Sequence, residues 1–333
     1  MEYSKVILVT GCAGFIGSNF INIMCRRYPN YMFIGFDNMT YCANEDNLEK
    51  FDNFLLVKGD ISKYDVVVEL FLTYKFTDVI HFAAESHVDN SISNPLIFVT
   101  TNVIGTCNLL DVAKRMWKDD YSKHRFYHVS TDEVYGALDL NGEPFSEETK
   151  YDPHSPYSAS KAASDHFVRA YHDTYGMNTV ISNCSNNFGP NQYEEKLIPK
   201  VIKNIDENKP IPVYGTGENI RDWLYVGDHV DAIDVIFHYA KPGSTYNVGG
   251  NNEMTNIELI EKICDIYDYN WGQEIGTSRK LITFVEDRKG HDFRYSINSK
   301  KLQDELGWKP SSNPDILLRN TVDHYCAKFA KCS

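Results

Sequence analysis

The sequence is short of positive charge, of patterned cysteines and of long apolar runs, and each shortage excludes a class of function. Lys and Arg total 33 against 46 Asp and Glu, a net charge of -13. A nucleic-acid or anionic-membrane surface needs clustered Lys and Arg to displace counterions, so neither partner is expected. Any anion the chain binds must be held by a few local cations. The eight cysteines contain no Cys-x-x-Cys and no spacing that suits zinc, so no metal is expected. Reduced, mostly structural thiols point to a cytoplasmic setting. No apolar stretch approaches the roughly 20 residues of a membrane helix, and Lys5 leads into Val6-Ile7-Leu8-Val9 without a secretory leader before it. Internal repeats and low-complexity segments are also missing. What remains is a chain of 333 residues and 42% hydrophobic content. That is enough for one large core, or for a main domain and a smaller one.

The N-terminal part carries a strand, a glycine turn and a helix in immediate succession. Residues 5–10 read as a buried parallel strand, Gly11-Cys12-Ala13-Gly14-Phe15-Ile16-Gly17 follows, and Ile16, Phe20, Ile23 and Arg27 recur at helical spacing. Glycines let a backbone approach a pyrophosphate, and the helix N-terminus offers it unpaired N–H groups. A second strand, Met32 to Phe36, ends in Asp37, 20 residues after Gly17. A carboxylate there accepts from both ribose hydroxyls of NAD and repels the extra phosphate of NADP. Further runs at 54–57, 78–82 and 125–129, separated by helical segments such as 97–117, predict a doubly wound parallel α/β sheet of the Rossmann type. Asp60, at the end of the third strand, suits either the adenine amino group or a helix cap.

The fifth strand leads into Thr131, Asp132 and Glu133, and Tyr157-x-x-x-Lys161 follows 24 residues later. The strand would bring both carboxyls to the sheet edge, where open α/β folds bind ligands. On a helix, Tyr157 and Lys161 share a face. Two adjacent acids are commonly a solvated turn, and a lone Tyr-x-x-x-Lys is common in helices. Their combination with the glycine turn sets them apart.

Taken together, TGCAGFIG, GDI, HFAAESHVD, STDEVYG and YSASK resemble the extended short-chain dehydrogenase/reductase superfamily, and more narrowly the nucleotide-sugar 4,6-dehydratases acting on dTDP-glucose or UDP-glucose. The likeness continues through NCSNNFGPNQYEEKLIPK, GTGENIRDWLYVGDH, YNVGG and DRKGHDFRY to LGWKP. It implies NAD as a tightly held cofactor, contacted by Gly11, Gly14, Phe15, Ile16, Gly17, Asp37, Asp60, Ile61, Ala83, Ala84, Tyr157, Lys161 and Asn187. It also implies that Tyr157, as phenolate, takes the proton of the sugar 4-hydroxyl while hydride leaves carbon 4. A free tyrosine, with a pKa of about 10, needs Lys161 to serve as base near neutrality. Thr131 would bond the reacting oxygen. Glu133 would then remove the acidified hydrogen on carbon 5, Asp132 would protonate the departing 6-hydroxyl, and hydride would return to carbon 6 with a proton to carbon 5. One acid must act ionised and the other protonated, so their environments have to differ. The resemblance places Ser86, Thr131, Asn186, Lys196, Leu197, Lys200, Arg221, Asn256, Arg288 and His291 against the substrate, the two arginines as bidentate clamps on the diphosphate.

The resemblance further implies an NAD-binding domain of residues 1–183 plus about 224–248 and a nucleotide-sugar domain of about 184–223 plus 249–333. A rise in Pro and Gly after Cys184 marks the first crossing. A homodimer through a four-helix interface, using about 97–117 and 156–175 of each subunit, is also implied. ESHVD and NCSNN look like bacterial dTDP-glucose enzymes, whereas Tyr41-Cys42-Ala43 and Gly189-Pro190-Asn191-Gln192 look like UDP-glucose enzymes, so the nucleobase stays open. A UDP-sugar 4-epimerase or decarboxylase would share the cofactor half but has no need of Asp132 and Glu133. A non-catalytic NAD-sensing module would need none of Thr131, Asp132, Glu133, Tyr157 and Lys161.

Overall fold

The computed structural model describes residues 3–118, 120–287 and 292–330. Its first half alternates strand and helix, because apolar runs without polar alternation bury both faces in a parallel sheet. In order come β1 (Lys5–Thr10), α1 (Phe15–Arg27), β2 (Tyr31–Asp37), β3 (Phe54–Lys58), α2 (Tyr64–Tyr74), β4 (Asp78–His81) and the short α3 (Val88–Ser93). One long helix then spans Pro95–Met116, made of α4 (Pro95–Phe98), a π-helical stretch Val99–Ile104 and α5 (Gly105–Met116). β5 (Arg125–Thr131), α6 (Pro156–Tyr175) and β6 (Thr179–Cys184) complete this half.

After Cys184 the alternation loosens. β7 (Asn186–Phe188), α7 (Leu197–Asp206), β8 (Ile211–Tyr214), β9 (Ile220–Tyr225), α8 (Val226–Tyr239), β10 (Thr245–Val248), β11 (Glu253–Thr255), α9 (Asn256–Asn270), β12 (Ile282–Val285), α10 (Lys300–Leu306) and α11 (Pro314–Ala330) follow. Seven strands form one parallel sheet in the order β10-β6-β5-β4-β1-β2-β3. Two small sheets, β11-β9-β7 and β12-β8, belong to the smaller α/β unit. The return of the chain to the large sheet therefore begins with α8, which packs on α1, and ends with β10 paired to β6.

The core lies on both faces of the large sheet. Phe20, Ile21 and Met24 of α1 meet Val230, Ile233 and Phe237 of α8 on one side; Val67, Leu70 and Phe71 of α2 meet Leu109, Val112 and Val168 on the other. A third cluster joins α7, α9 and α11 through Ile202, Ile260, Ile263, Val322 and Tyr325. The Pro95–Met116 helix corrects one expectation. It is long and apolar enough for a membrane span by length and composition, with a mean hydropathy of 1.5. Its Phe98, Asn102, Gly105, Thr106, Leu109 and Leu110 are nevertheless buried within the fold, against α2 and α6. The consequence for ligand binding is topological. Strand order turns around between β1 and β4, and the carboxyl ends of β1, β4, β5 and β6 lie side by side there, through the pairs Thr10↔His81, His81↔His128 and Thr131↔Cys184. That switch point is where such sheets open a crevice.

Candidate active site

The glycine turn is shaped by close backbone approach. Gly11 has φ 69°, and a Cβ there would sit 2.6 Å from the Ala83 nitrogen; a Cβ on Gly17 would sit 2.1 Å from the Gly11 oxygen. Side chains at either position would push the loop off β4 or lift α1 from β1. Gly14 caps α1 with no side-chain partner, so the first-turn amides face outward without an intrahelical acceptor. Asp37, at the end of β2, accepts from the amides of Ala13 at 3.0 Å and Met39 at 2.9 Å. Burial nonetheless pushes its carboxyl above the usual range, against those two bonds. Asp60 accepts from the Ser62 amide at 2.8 Å, which is the local turn role, and it also lines the cleft.

One cleft runs past all of these groups. It is lined by Gly11, Gly14, Phe15, Ile16, Gly17, Asp37, Asp60, Ile61, Ala83, Ala84 and Asn187, and continues to Ser86, Thr131, Asp132, Glu133, Tyr157, Lys161, Asn186 and Lys196. A side-chain-free cradle, outward amides and a carboxylate at the second strand's end fit a dinucleotide, with Ile61 and Ala83 flanking its path.

At the far end, β5 ends at Thr131 and closes into a 3-10 turn, Asp132–Tyr135. The Thr131 hydroxyl starts that turn by accepting from the Glu133 amide at 3.3 Å and donates to Asp132 Oδ1 at 3.3 Å. The two acids thereby part company. Asp132 is 2% exposed. Burial, then the charges of Glu133 and Asp222, push its carboxyl well above the usual range, opposed by Arg221 and the Thr131 hydroxyl. Glu133 is half-buried and lines the cleft. Tyr157 and Lys161 sit on the first turns of α6, both buried. Burial, Glu133 and Cys184 hold the Tyr157 phenol high, while the Thr131 hydroxyl acts in the opposite sense. Lys161 Nζ donates to the Val129 carbonyl at 2.9 Å, and burial lowers its hold on a proton.

Comparison with known proteins adds a decisive observation at this point. Residues 8–321 match the family described as GDP-mannose 4,6 dehydratase. The chain belongs to this family. It is 46% identical over 329 residues to the dTDP-glucose 4,6-dehydratase of Haemophilus influenzae, covering 96% of this chain and 97% of that protein. Among solved structures, the dTDP-glucose 4,6-dehydratase of Bacillus anthracis in complex with NAD superimposes with a TM-score of 0.87 at 41% identity, covering 98% of both chains. The corresponding enzyme of Streptomyces venezuelae, DesIV, also with NAD bound, gives 0.88 at 38%, again over 98% of each.

Not every residue assigned to this dehydratase site by resemblance lines the cleft. Leu197 and Lys200 lie on α7 beyond Lys196, with Lys200 exposed and Leu197 half-buried. Lys196 itself reaches back to the Ser86 carbonyl at 3.3 Å. Arg221 is buried on β9, donates to the carbonyls of Ile220, Asp292 and Phe293, and stacks its guanidinium 4.4 Å from the Tyr295 ring centre. Asn256 opens α9 and gives its amide to the Asn219 carbonyl at 3.0 Å. Arg288 and His291 lie outside the described residues. Conversely, the cleft includes Glu85, Thr101, Cys184, Ser185, Gln192 and Glu195, which the sequence reading passed over. Glu85 carries the clearest missed signal, sitting between two assigned neighbours in Ala83-Ala84-Glu85-Ser86.

Proposed function

We propose that the chain removes water from dTDP-glucose, giving the 4-keto-6-deoxy sugar nucleotide. It is an NAD-dependent nucleotide-sugar 4,6-dehydratase of the hydro-lyase class. The finer choice of thymine over uracil rests on the dTDP-glucose enzymes among its relatives. One observation carries the reading: Asp132, a carboxyl buried and so holding its proton more tightly than usual, lines the same cleft as Glu133, Tyr157 and Lys161. NAD, when bound along the glycine cradle and Asp37, supplies the reversible oxidation that makes carbon 5 acidic.

The chain's own groups do the rest. Tyr157 takes the 4-hydroxyl proton, with Lys161 favouring the phenolate and Thr131 orienting the oxygen. Glu133 removes the hydrogen on carbon 5. Asp132 gives its proton to the 6-oxygen, which leaves as water. This division follows from burial, since a fully buried carboxyl holds its proton more tightly than one open to a cleft. Ser86, Asn186 and Lys196 line the sugar-diphosphate end of the cleft. Leu197, Lys200, Arg221, Asn256, Arg288 and His291 are proposed as further substrate contacts on the family resemblance alone. The cofactor and nucleotide-sugar domains are proposed to exchange at about 184, 224 and 249, and the enzyme to be a cytosolic homodimer.

Incubating the purified protein with dTDP-glucose and with UDP-glucose in parallel tests this. A product lighter by one water, with no net NADH and with dTDP-glucose turned over faster, is the expected result. A product of unchanged mass with galactose configuration would indicate an epimerase instead.

A further inference from the structure

Beside Lys161 lies a buried polar cluster to which the dehydration steps give no task. Asp165, one turn further along α6, and His128, on β5, are both 0% exposed, and neither lines the cleft. Lys161 Nζ stands 3.5 Å from His128 Nε2, and the same nitrogen lies 3.2 Å from Asp165 Oδ1. The second Asp165 oxygen accepts from Ser130 Oγ at 2.9 Å, Tyr151 OH at 2.8 Å and Asn183 Nδ2 at 3.3 Å. Arg169 Nη2 donates to the Tyr151 hydroxyl at 2.7 Å.

This cluster is costly to bury unless it serves something. Burial favours the neutral form of a lysine, yet stabilising a phenolate needs the ammonium. The acids of the cleft do not supply the counter-charge: Glu133 and Asp132 act on Tyr157, whereas the groups that favour a charged Lys161 are Asp165 and Cys184. Cys184 is itself kept protonated by burial, its thiol pushed up to about 12. Asp165 is then the one anion among them. Burial opposes its charge, but His128, Lys161 and Ser130 together hold its carboxyl below the usual range. His128, pushed down to about 4 by burial and by Lys161, is neutral and can either accept from the ammonium or donate to the carboxylate.

We propose that Asp165, acting partly through His128, is a positioning residue that holds the Lys161 ammonium charged and in place from behind the cleft. The inference rests on the reading of Lys161 as the partner of the Tyr157 phenolate. The titratable groups coupled to Lys161 are Asp165 of α6, His128 of β5, His81 of β4 and Cys184 of β6. Of these only Asp165 is a permanent anion near neutral pH. Its replacement by Asn should therefore let Lys161 lose its proton at lower pH.

Two measurements on the holoenzyme test this. NMR of isotope-labelled lysine, with Lys161→Met to assign the resonance, should show Lys161 titrating about one pH unit lower in Asp165→Asn, an equilibrium change of about tenfold. The rate of nicotinamide absorbance change on mixing with dTDP-glucose should lose its alkaline limb at correspondingly lower pH, with kcat reduced about tenfold and KM unchanged. Asp165→Glu should restore both profiles. Should Asp165→Asn fail to fold, His128→Asn gives the same test, with a smaller shift expected in the same direction. A Lys161 titration and pH profile superimposable on wild type in the variant would overturn the proposal. A shifted titration in a protein that never dehydrates dTDP-glucose would instead overturn the functional reading while leaving the charge coupling intact.

Discussion

Asp132 Oδ2 is buried without a hydrogen-bond partner among the described residues, and its Oδ1 takes only the Thr131 hydroxyl. Burial, Glu133 and Asp222 raise its carboxyl above the ordinary value, so the folded chain keeps a proton that the unfolded chain releases. Stability gained from that proton is complete below the ordinary carboxylate range and falls as pH rises toward the folded value. Asp132→Asn carries no such proton. It should therefore melt above wild type near neutral pH, by about 2 °C for each kcal/mol recovered, and the gap should close in acid. The same variant should still reduce bound NAD when given substrate but lose water release by roughly 10²–10⁴-fold. Glu133→Gln should stall at the same stage, having lost the base that takes the hydrogen on carbon 5. Calorimetry across pH and product mass spectrometry check both halves. Full turnover in both variants would remove the acid and base assignments.

Helix α6 is the element that aligns the chemistry. Pro156 fixes its first turn, Ser155 and Ser158 form a reciprocal capping box, and Gly176 ends it with φ 71°. Tyr157, Lys161 and Asp165 then recur every fourth residue along one face. Removing the Ser155 hydroxyl takes the capping acceptor from the Ser158 amide, next to Tyr157. Ser155→Ala should cost about 1 kcal/mol of stability, and it should lower kcat more than it raises KM because the base is displaced. Unchanged melting and kinetics would show that packing alone sets this turn. The Tyr157 and Lys161 pair was legible in the sequence because spacing of four is a helical signal. Asp165 has that same spacing from Lys161, yet an acid in a helix reads as a solvated face until β5 is seen to cover it. The turn at Asp132 and the π-helical stretch Val99–Ile104 were not legible either. Both are departures from regular geometry fixed by tertiary bonds, as when Asn102 ties the Glu85 backbone to Ser160.

On the scale of the whole molecule, the large sheet follows from apolar runs and glycine punctuation, which local sequence records well. The small sheets β11-β9-β7 and β12-β8 consist of strands of three to six residues paired across long separations, and short runs carry little periodicity. The surface holds a further signal. Leu96 is 74% exposed and Val99, Ile104 and Phe167 are between 44% and 46%, all on the long helix and its neighbour α6. Scattered exposed apolar residues are ordinary, but a group on two adjacent helices makes a patch of the kind that marks an interface. A two-fold partner offering the same pair of helices would bury it as a four-helix arrangement. Charge does not oppose this, because Pro95-Leu96-Ile97-Phe98-Val99 contains no ionisable side chain despite the net charge of -13. The wild-type protein should therefore sediment as a dimer. Leu96→Asp combined with Phe167→Asp should sediment as a monomer that retains bound NAD, since the described cleft is lined within one chain. A wild-type protein that is monomeric at micromolar concentration, or a double variant that stays dimeric, would place the patch outside any interface. Loss of NAD from the monomeric variant would show that the partner holds Thr101 and the cleft wall in place.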